Sequence, residues 1–147
     1  VKDAMARRLE FFNSPNFIPI MVWLLSSLRK KFFRWFDSGD VQNVIMALNI
    51  LEICRLTPDI KHWIPSKEYK IWRQVLKIQK LPDNVVLRMS SPNVDQAPLT
   101  GFENTSTVHK NKKAFGLECI AYKQDGKCLD CKACYFKKVK NVSYPLH

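Results

Sequence analysis

The chain has 147 residues, 46% of them hydrophobic, which suits one globular domain with a core of its own. With 24 Lys and Arg against 13 Asp and Glu, the net charge is +11, a surplus that favours polyanions or acidic surfaces as partners without proving either. The most apolar stretch, residues 17–28, contains Pro19 and runs into Arg29, Lys30 and Lys31. It is too short to cross a bilayer, and no export signal is visible, so the expected setting is a reducing cytoplasm with no membrane partner.

In chain order, Ala4, Ala6, Leu9 and Phe12 among charges already read as helix. Because the chain opens on Val1 rather than Met, it is expected to be part of a longer protein. Ser14 before Pro15 has the form of a cap and first-turn proline, so a second helix should run to about Lys31. The aromatic run at 32–36 reads as a strand and stops at Asp37-Ser38-Gly39-Asp40, where Asp40 is placed to cap the next helix. In that helix Val41, Val44, Ile45, Leu48 and Leu51 recur at helical spacing, and Thr57-Pro58 ends it. A second strand is expected at 60–64, then a helix opened by Pro65-Ser66 and carrying Ile71, Trp72, Val75 and Leu76 on one face. Residues 85–90 form the third strand. Trp23, Trp35, Trp63 and Trp72 are expected in the core, with Cys54 a small buried hydrophobe.

Alternating strands and helices with short links imply an α/β fold with a short parallel β-α-β-α-β core behind N-terminal helices, either a small open sheet or part of a TIM-like barrel. Three units follow: an α/β domain at 1–90, a basic loop at 91–116 containing Lys110, Lys112 and Lys113, and a Cys-rich metal-binding tail at 117–147 packed on the same domain.

Cys128, Cys131 and Cys134 succeed one another at two-residue gaps, with Cys119 nine residues before the first. Four thiolates suit either a [4Fe-4S] cluster or a structural zinc. Zinc sites usually draw on two separate pairs, so the consecutive gaps favour the iron–sulfur cluster, with zinc as the alternative. Lys127, Lys132, Lys137 and Lys138 would favour the deprotonated thiolates.

Parallel α/β folds bind ligands at the carboxyl ends of their strands. The loops expected there are 37–40, 65–67 and 90–93. Arg34, Asp37, Ser38, Asp40, His62 and Arg88 are therefore candidates for a pocket accepting an anion. The plainer reading makes Asp40 and Ser66 helix caps and His62 a hydrogen-bonded core residue. No nucleophile–base pair stands out, so a reaction is not indicated, and His109 and His147 have no identifiable partner.

Two stretches resemble the phage "gene product 88" family. Arg34-Trp-Phe-Asp37-Ser38-Gly39-Asp40 is similar to that family's Arg-x-His-x-Ser-Gly-Asp signature, with Phe36 in place of the histidine. Gly126-Lys-Cys128-x-x-Cys131-x-x-Cys134 and Asn141-Val-Ser-Tyr144-Pro-x-His147 match its closing segment, and Leu81-Pro-Asp-Asn84 also fits. The resemblance implies a phage or prophage origin and a place in the host bacterial cytoplasm. The family's upstream Cys-x-x-Cys-Tyr-Ala type motif is absent. The layout resembles radical S-adenosylmethionine barrels more distantly, but their three-cysteine motif does not occur here. Three readings follow: a metal-cluster protein, an enzyme or an inactive relative of one, with a ligand pocket at the strand ends; a basic nucleic-acid-binding protein whose lysine-rich tail is stapled by zinc; or an interaction protein that binds a host factor, for which the sequence offers no positive sign.

Overall fold

A computed structural model describes residues 2–146; Val1 and His147 lie outside them. Four α-helices are present among these residues: α1 (Lys2–Asn13), α2 (Phe17–Ser27), α3 (Val44–Leu56) and α4 (Tyr69–Ile78). Six strands form one sheet: β1 (Phe32–Arg34), β2 (Lys61–Ser66), β3 (Val85–Val94), β4 (Asn104–His109), β5 (Leu117–Glu118) and β6 (Asn141–Pro145). The order is β1-β2-β3-β4-β6-β5 and every pairing is parallel.

The expected β-α-β-α-β unit is present as β1-α3-β2-α4-β3, but it is only half of the sheet. The segments read as a basic loop and a metal-binding tail supply three further strands. Residues from β1 and β5, the two edges, line one common cavity. The sheet is thus curled into an open half-barrel.

Side chains alternate across each strand. His62 and Ile64 of β2, with Val85, Leu87 and Met89 of β3, face the helices. There they join Ile50, Leu51 and Cys54 of α3 and Trp72 and Val75 of α4 in the core. Cys54 is fully buried, as its place in the helix suggested, and burial pushes its thiol up to about 12. α3 starts later than its apolar spacing indicated. Asn43 caps it by accepting from the Met46 N–H at 2.8 Å, and the buried face runs through Ala47, Ile50, Leu51 and Cys54, leaving Ile45 70% exposed. Trp35, Trp63 and Trp72 are buried as expected, whereas Trp23 on α2 is 68% exposed.

The concave face carries Trp63 and Arg88 on adjacent strands, in the register Trp63↔Val86 and Pro65↔Arg88. The 3-10 turn Ala133–Tyr135 fills it, with the Tyr135 ring edge-on to Phe32 (5.0 Å) and Trp63 (5.7 Å). On the helix-side face of β4 and β6 the buried groups are polar. Asn141 accepts from the Thr105 hydroxyl and donates to that of Thr107, which donates to Ser143. A ladder of satisfied hydroxyl and amide groups replaces the usual apolar face, at little cost while every member is paired.

Candidate functional site: the cleft at the strand ends

Beyond the C-terminal ends of β1 and β2 lies a cleft of about 570 Å³, lined among others by Arg34, Asp37, Ser38, Asp40, Ser66, Lys67 and Ser90. A second hollow of about 190 Å³ continues from Lys67 and Ser90 toward Ser106 and Tyr144 at the ends of β4 and β6. Crevices of this kind are where parallel sheets take their ligands, because the connecting loops diverge there while the strands below hold them rigidly.

The floor is built by Asp40. Its Oδ1 accepts the Ser66 hydroxyl at 2.6 Å and the Val41 N–H at 2.8 Å, and its Oδ2 accepts the Lys67 N–H at 2.6 Å. Asp40 is therefore not the cap of α3. It ties the loop after β1 to the loop after β2. Ser66 has a similar hub role: its Oγ also accepts from the Glu68 N–H and from Trp72 Nε1 at 2.9 Å. Trp72 is fully buried in the core, so this chain of bonds anchors the cleft to the rigid interior.

With Asp40 committed to these donors, the cleft presents the cations Arg34 and Lys67 and the hydroxyls of Ser38 and Ser90, alongside the carboxylates of Asp37 and Glu68 at its rim. Arg34 lays its guanidinium over the Trp63 ring at 4.8 Å, and its ion pair with Asp37 is loose at 3.7 Å, the Asp37 side chain being fully solvent-exposed. So exposed a pair is screened by water and holds the guanidinium only weakly. The Lys67 ammonium makes no ion pair among the described residues. Ser90 and Ser106 share a hydrogen bond at 2.9 Å between adjacent strands.

Four of the six residues proposed from sequence thus meet in the cleft: Arg34, Asp37, Ser38 and Asp40. The other two do not. His62 lies on the helix side of β2, its Nδ1 accepting from Trp35 Nε1 at 3.2 Å and its Nε2 facing the Thr57 hydroxyl at 2.9 Å. The indole can only donate, so Nδ1 is the acceptor and Nε2 carries the proton. Burial lowers its pKa to about 4, and it is a neutral core residue. Arg88 is buried on the concave face, where it donates to the carbonyls of Thr105 (2.9 Å) and Val139 (3.1 Å) and holds residues 134–140 inside the half-barrel. Lys67, Ser90 and Ser106 were missed as site residues. Lys67 and Ser90 stand in the strand-end loops that the sequence did mark, while Ser106 stands in a strand that it did not.

The cysteine expectation is corrected. Cys119, Cys128, Cys131 and Cys134 line one cavity of about 210 Å³ inside the curl. However, among the described residues no three His, Cys, Asp or Glu side chains are gathered where they could hold a metal ion. A [4Fe-4S] cluster or a zinc needs thiolates converging on a common centre. Here they are spread along the cavity wall, Cys128 and Cys131 on an exposed turn and Cys134 half-buried beside the Tyr144 hydroxyl at 3.6 Å. Sequence spacing alone does not bring the four together, and neither the iron–sulfur nor the zinc-stapled form of the tail stands.

No helix among the described residues is long and apolar enough to cross a membrane. Comparison with curated proteins and with solved structures finds no match. The sequence profile of the family described as Gene product 88 matches residues 1–142. The match covers nearly the whole chain, including the Asp37–Asp40 loop and the cysteine tail, and the chain belongs to the phage Gene product 88 family.

Proposed function

We propose that this phage protein is a ligand-binding domain, acting in the host cytoplasm, whose site is the strand-end cleft and whose ligand is a small molecule bearing a phosphate or carboxylate group. The observation that carries this reading is the division of labour around Asp40. The one carboxylate set into the floor is consumed by three donors, while the Lys67 ammonium makes no ion pair among the described residues and the Arg34 guanidinium is held only by the Trp63 ring and the exposed Asp37. Arg34 would take the anionic group through its planar donor fork and Lys67 would add a point charge. Ser38 and Ser90 would fix orientation. No reaction is assigned: the Ser66 hydroxyl that Asp40 holds is buried and also accepts from the Glu68 N–H and Trp72 Nε1, a structural rather than a nucleophilic setting.

Titration calorimetry with inorganic phosphate and a set of nucleotides tests the reading. Saturable binding should weaken at least tenfold in Arg34→Met and in Lys67→Met, the loss of a charged contact being worth about 1.5–3 kcal/mol. Binding of equal strength in wild type and both variants would place the ligand elsewhere.

A second reading is contact with nucleic-acid phosphates through exposed lysines, without any metal staple. It is favoured by the loop at 110–113, which is held in shape by the Asp95 carboxylate. That group accepts the N–H groups of Lys110, Asn111 and Lys112, which hold its pKa below the usual carboxylate range. Affinity for DNA or RNA that falls steeply with salt would support it.

A further inference from the structure

The cysteines that do not gather around a metal still form an arrangement suited to other chemistry. Cys128 and Cys131 are both exposed, and the Cys131 N–H donates to the Cys128 carbonyl at 2.8 Å. An i to i+3 bond of this kind closes a β-turn, which keeps the two Cα atoms within about 7 Å. A disulfide spans Cα separations of about 4.4–6.8 Å. The turn thus holds the pair near bonding distance while leaving both thiols open to an incoming molecule. Its tight reversal is visible in Leu129, which has φ +43. The next gap has the same spacing but a different geometry. Cys134 sits half-buried in the Ala133–Tyr135 turn beside Tyr144, and burial raises its thiol pKa, with the nearby Cys119 and Cys128 adding to the effect. A buried, protonated thiol is a poor nucleophile.

We propose that Cys128 and Cys131 form a dithiol site for thiol–disulfide exchange, with disulfides of peptides or small molecules as substrates. The thiolate of one cysteine attacks a sulfur of the substrate disulfide. A mixed disulfide forms, the substrate S–S bond breaks, and the departing thiolate takes up a proton. The second cysteine gives up its proton and attacks the mixed disulfide. The Cys128–Cys131 bond forms and the second substrate thiol leaves. Two protein thiols are oxidised by two electrons and one substrate disulfide is reduced to two thiols, with no other reactant. The surrounding cavity wall, with Phe32 and Trp63, gives an apolar surface against which the substrate's own groups can rest.

The test uses the full reduced chain exposed to oxidised glutathione, quenched with acid and measured by non-reducing mass spectrometry with peptide mapping. The expected product is a chain lighter by two hydrogen atoms, free of glutathione, with the link mapped to Cys128 and Cys131. Cys128→Ser and Cys131→Ser should each halt at a glutathione adduct on the remaining cysteine. Stable adducts on both cysteines of the wild type, a link mapped to another pair, or native thiols that never react would each overturn the proposal. Should a serine variant fail to fold by circular dichroism, the wild-type map decides by itself.

Discussion

The neutral state of His62 makes stability depend on pH in a way the structure specifies. His62 is fully buried between Trp35 and Thr57, and desolvation lowers its pKa from 6.5 to about 4. In the unfolded chain the ring takes up a proton near pH 6.5, and in the folded chain only near pH 4. Stability from this group is therefore complete above pH 6.5, falls as pH drops through 6.5, and levels off below about 4. At about 1.4 kcal/mol per pKa unit, the difference is of the order of 3 kcal/mol. With urea slopes of about 1–3 kcal/mol per molar, that corresponds to a fall in midpoint of about 1–3 M. Other groups titrate in the same window, so the comparison is with His62→Gln, whose amide can accept from Trp35 and donate to Thr57 without titrating. Urea unfolding followed by tryptophan fluorescence at pH 7.5 and pH 4.5 should show a markedly smaller loss in the variant. Equal losses in the two proteins would refute the assignment of a buried neutral imidazole.

Three further expectations concern the C-terminal half of the fold. Arg88→Met removes the charged donors to the Thr105 and Val139 carbonyls, each such bond being worth about 1.5–3 kcal/mol, while Val139 keeps the Asn104 amide as a donor, so urea unfolding should show a loss of about 3 kcal/mol and proteolysis should release the tail. Gly116 has φ +70, and a Cβ there would meet the Asn141 carbonyl oxygen at 2.8 Å, while Gly126 has φ +72 with open space around it. Thermal melts should therefore show Gly116→Ala more damaging than Gly126→Ala, the close approach adding to the roughly 1–3 kcal/mol strain that both share. Elemental analysis of protein purified without air should find far less than one iron or zinc per chain; a stoichiometric metal would contradict the observed spread of the cysteines.

The N-terminal half of the sheet was legible because its strands and helices bury apolar side chains at the expected periods. β1, β2 and β3 overlap the expected runs, but β1 stops at Arg34, two residues short of Phe36, and β2 continues through Pro65-Ser66, which read as a helix start; α4 begins only at Tyr69. Strand β4 escaped because its sequence, Asn104-Thr-Ser-Thr-Val-His109, looks like loop. Its buried Thr105 and Thr107 are satisfied by Asn141 and Ser143 of β6, a match between distant segments that neither shows alone. β3 was cut short at Ser90 because Pro92 reads as a breaker. The strand carries it to Val94 through an irregular register with β4, where a missing N–H costs little. Arg88 and His62 lie outside the cleft because sequence alone does not show that His62 faces the helices as a neutral ring between Trp35 and Thr57, or that Arg88 is taken up by the Thr105 and Val139 carbonyls. The cysteine spacing was read as convergence, and spacing constrains the chain without fixing where its side chains meet.

The most direct test of the strand-end site is an NMR titration of the amide resonances with inorganic phosphate and then a nucleotide. The amides of Gly39, Asp40, Val41, Lys67 and Ser90 should shift together and saturate, with those of residues 110–113 and 121–138 left in place. Shifts confined to the lysine loop or the tail, with the Asp40 floor unmoved, would contradict the assignment of the cleft.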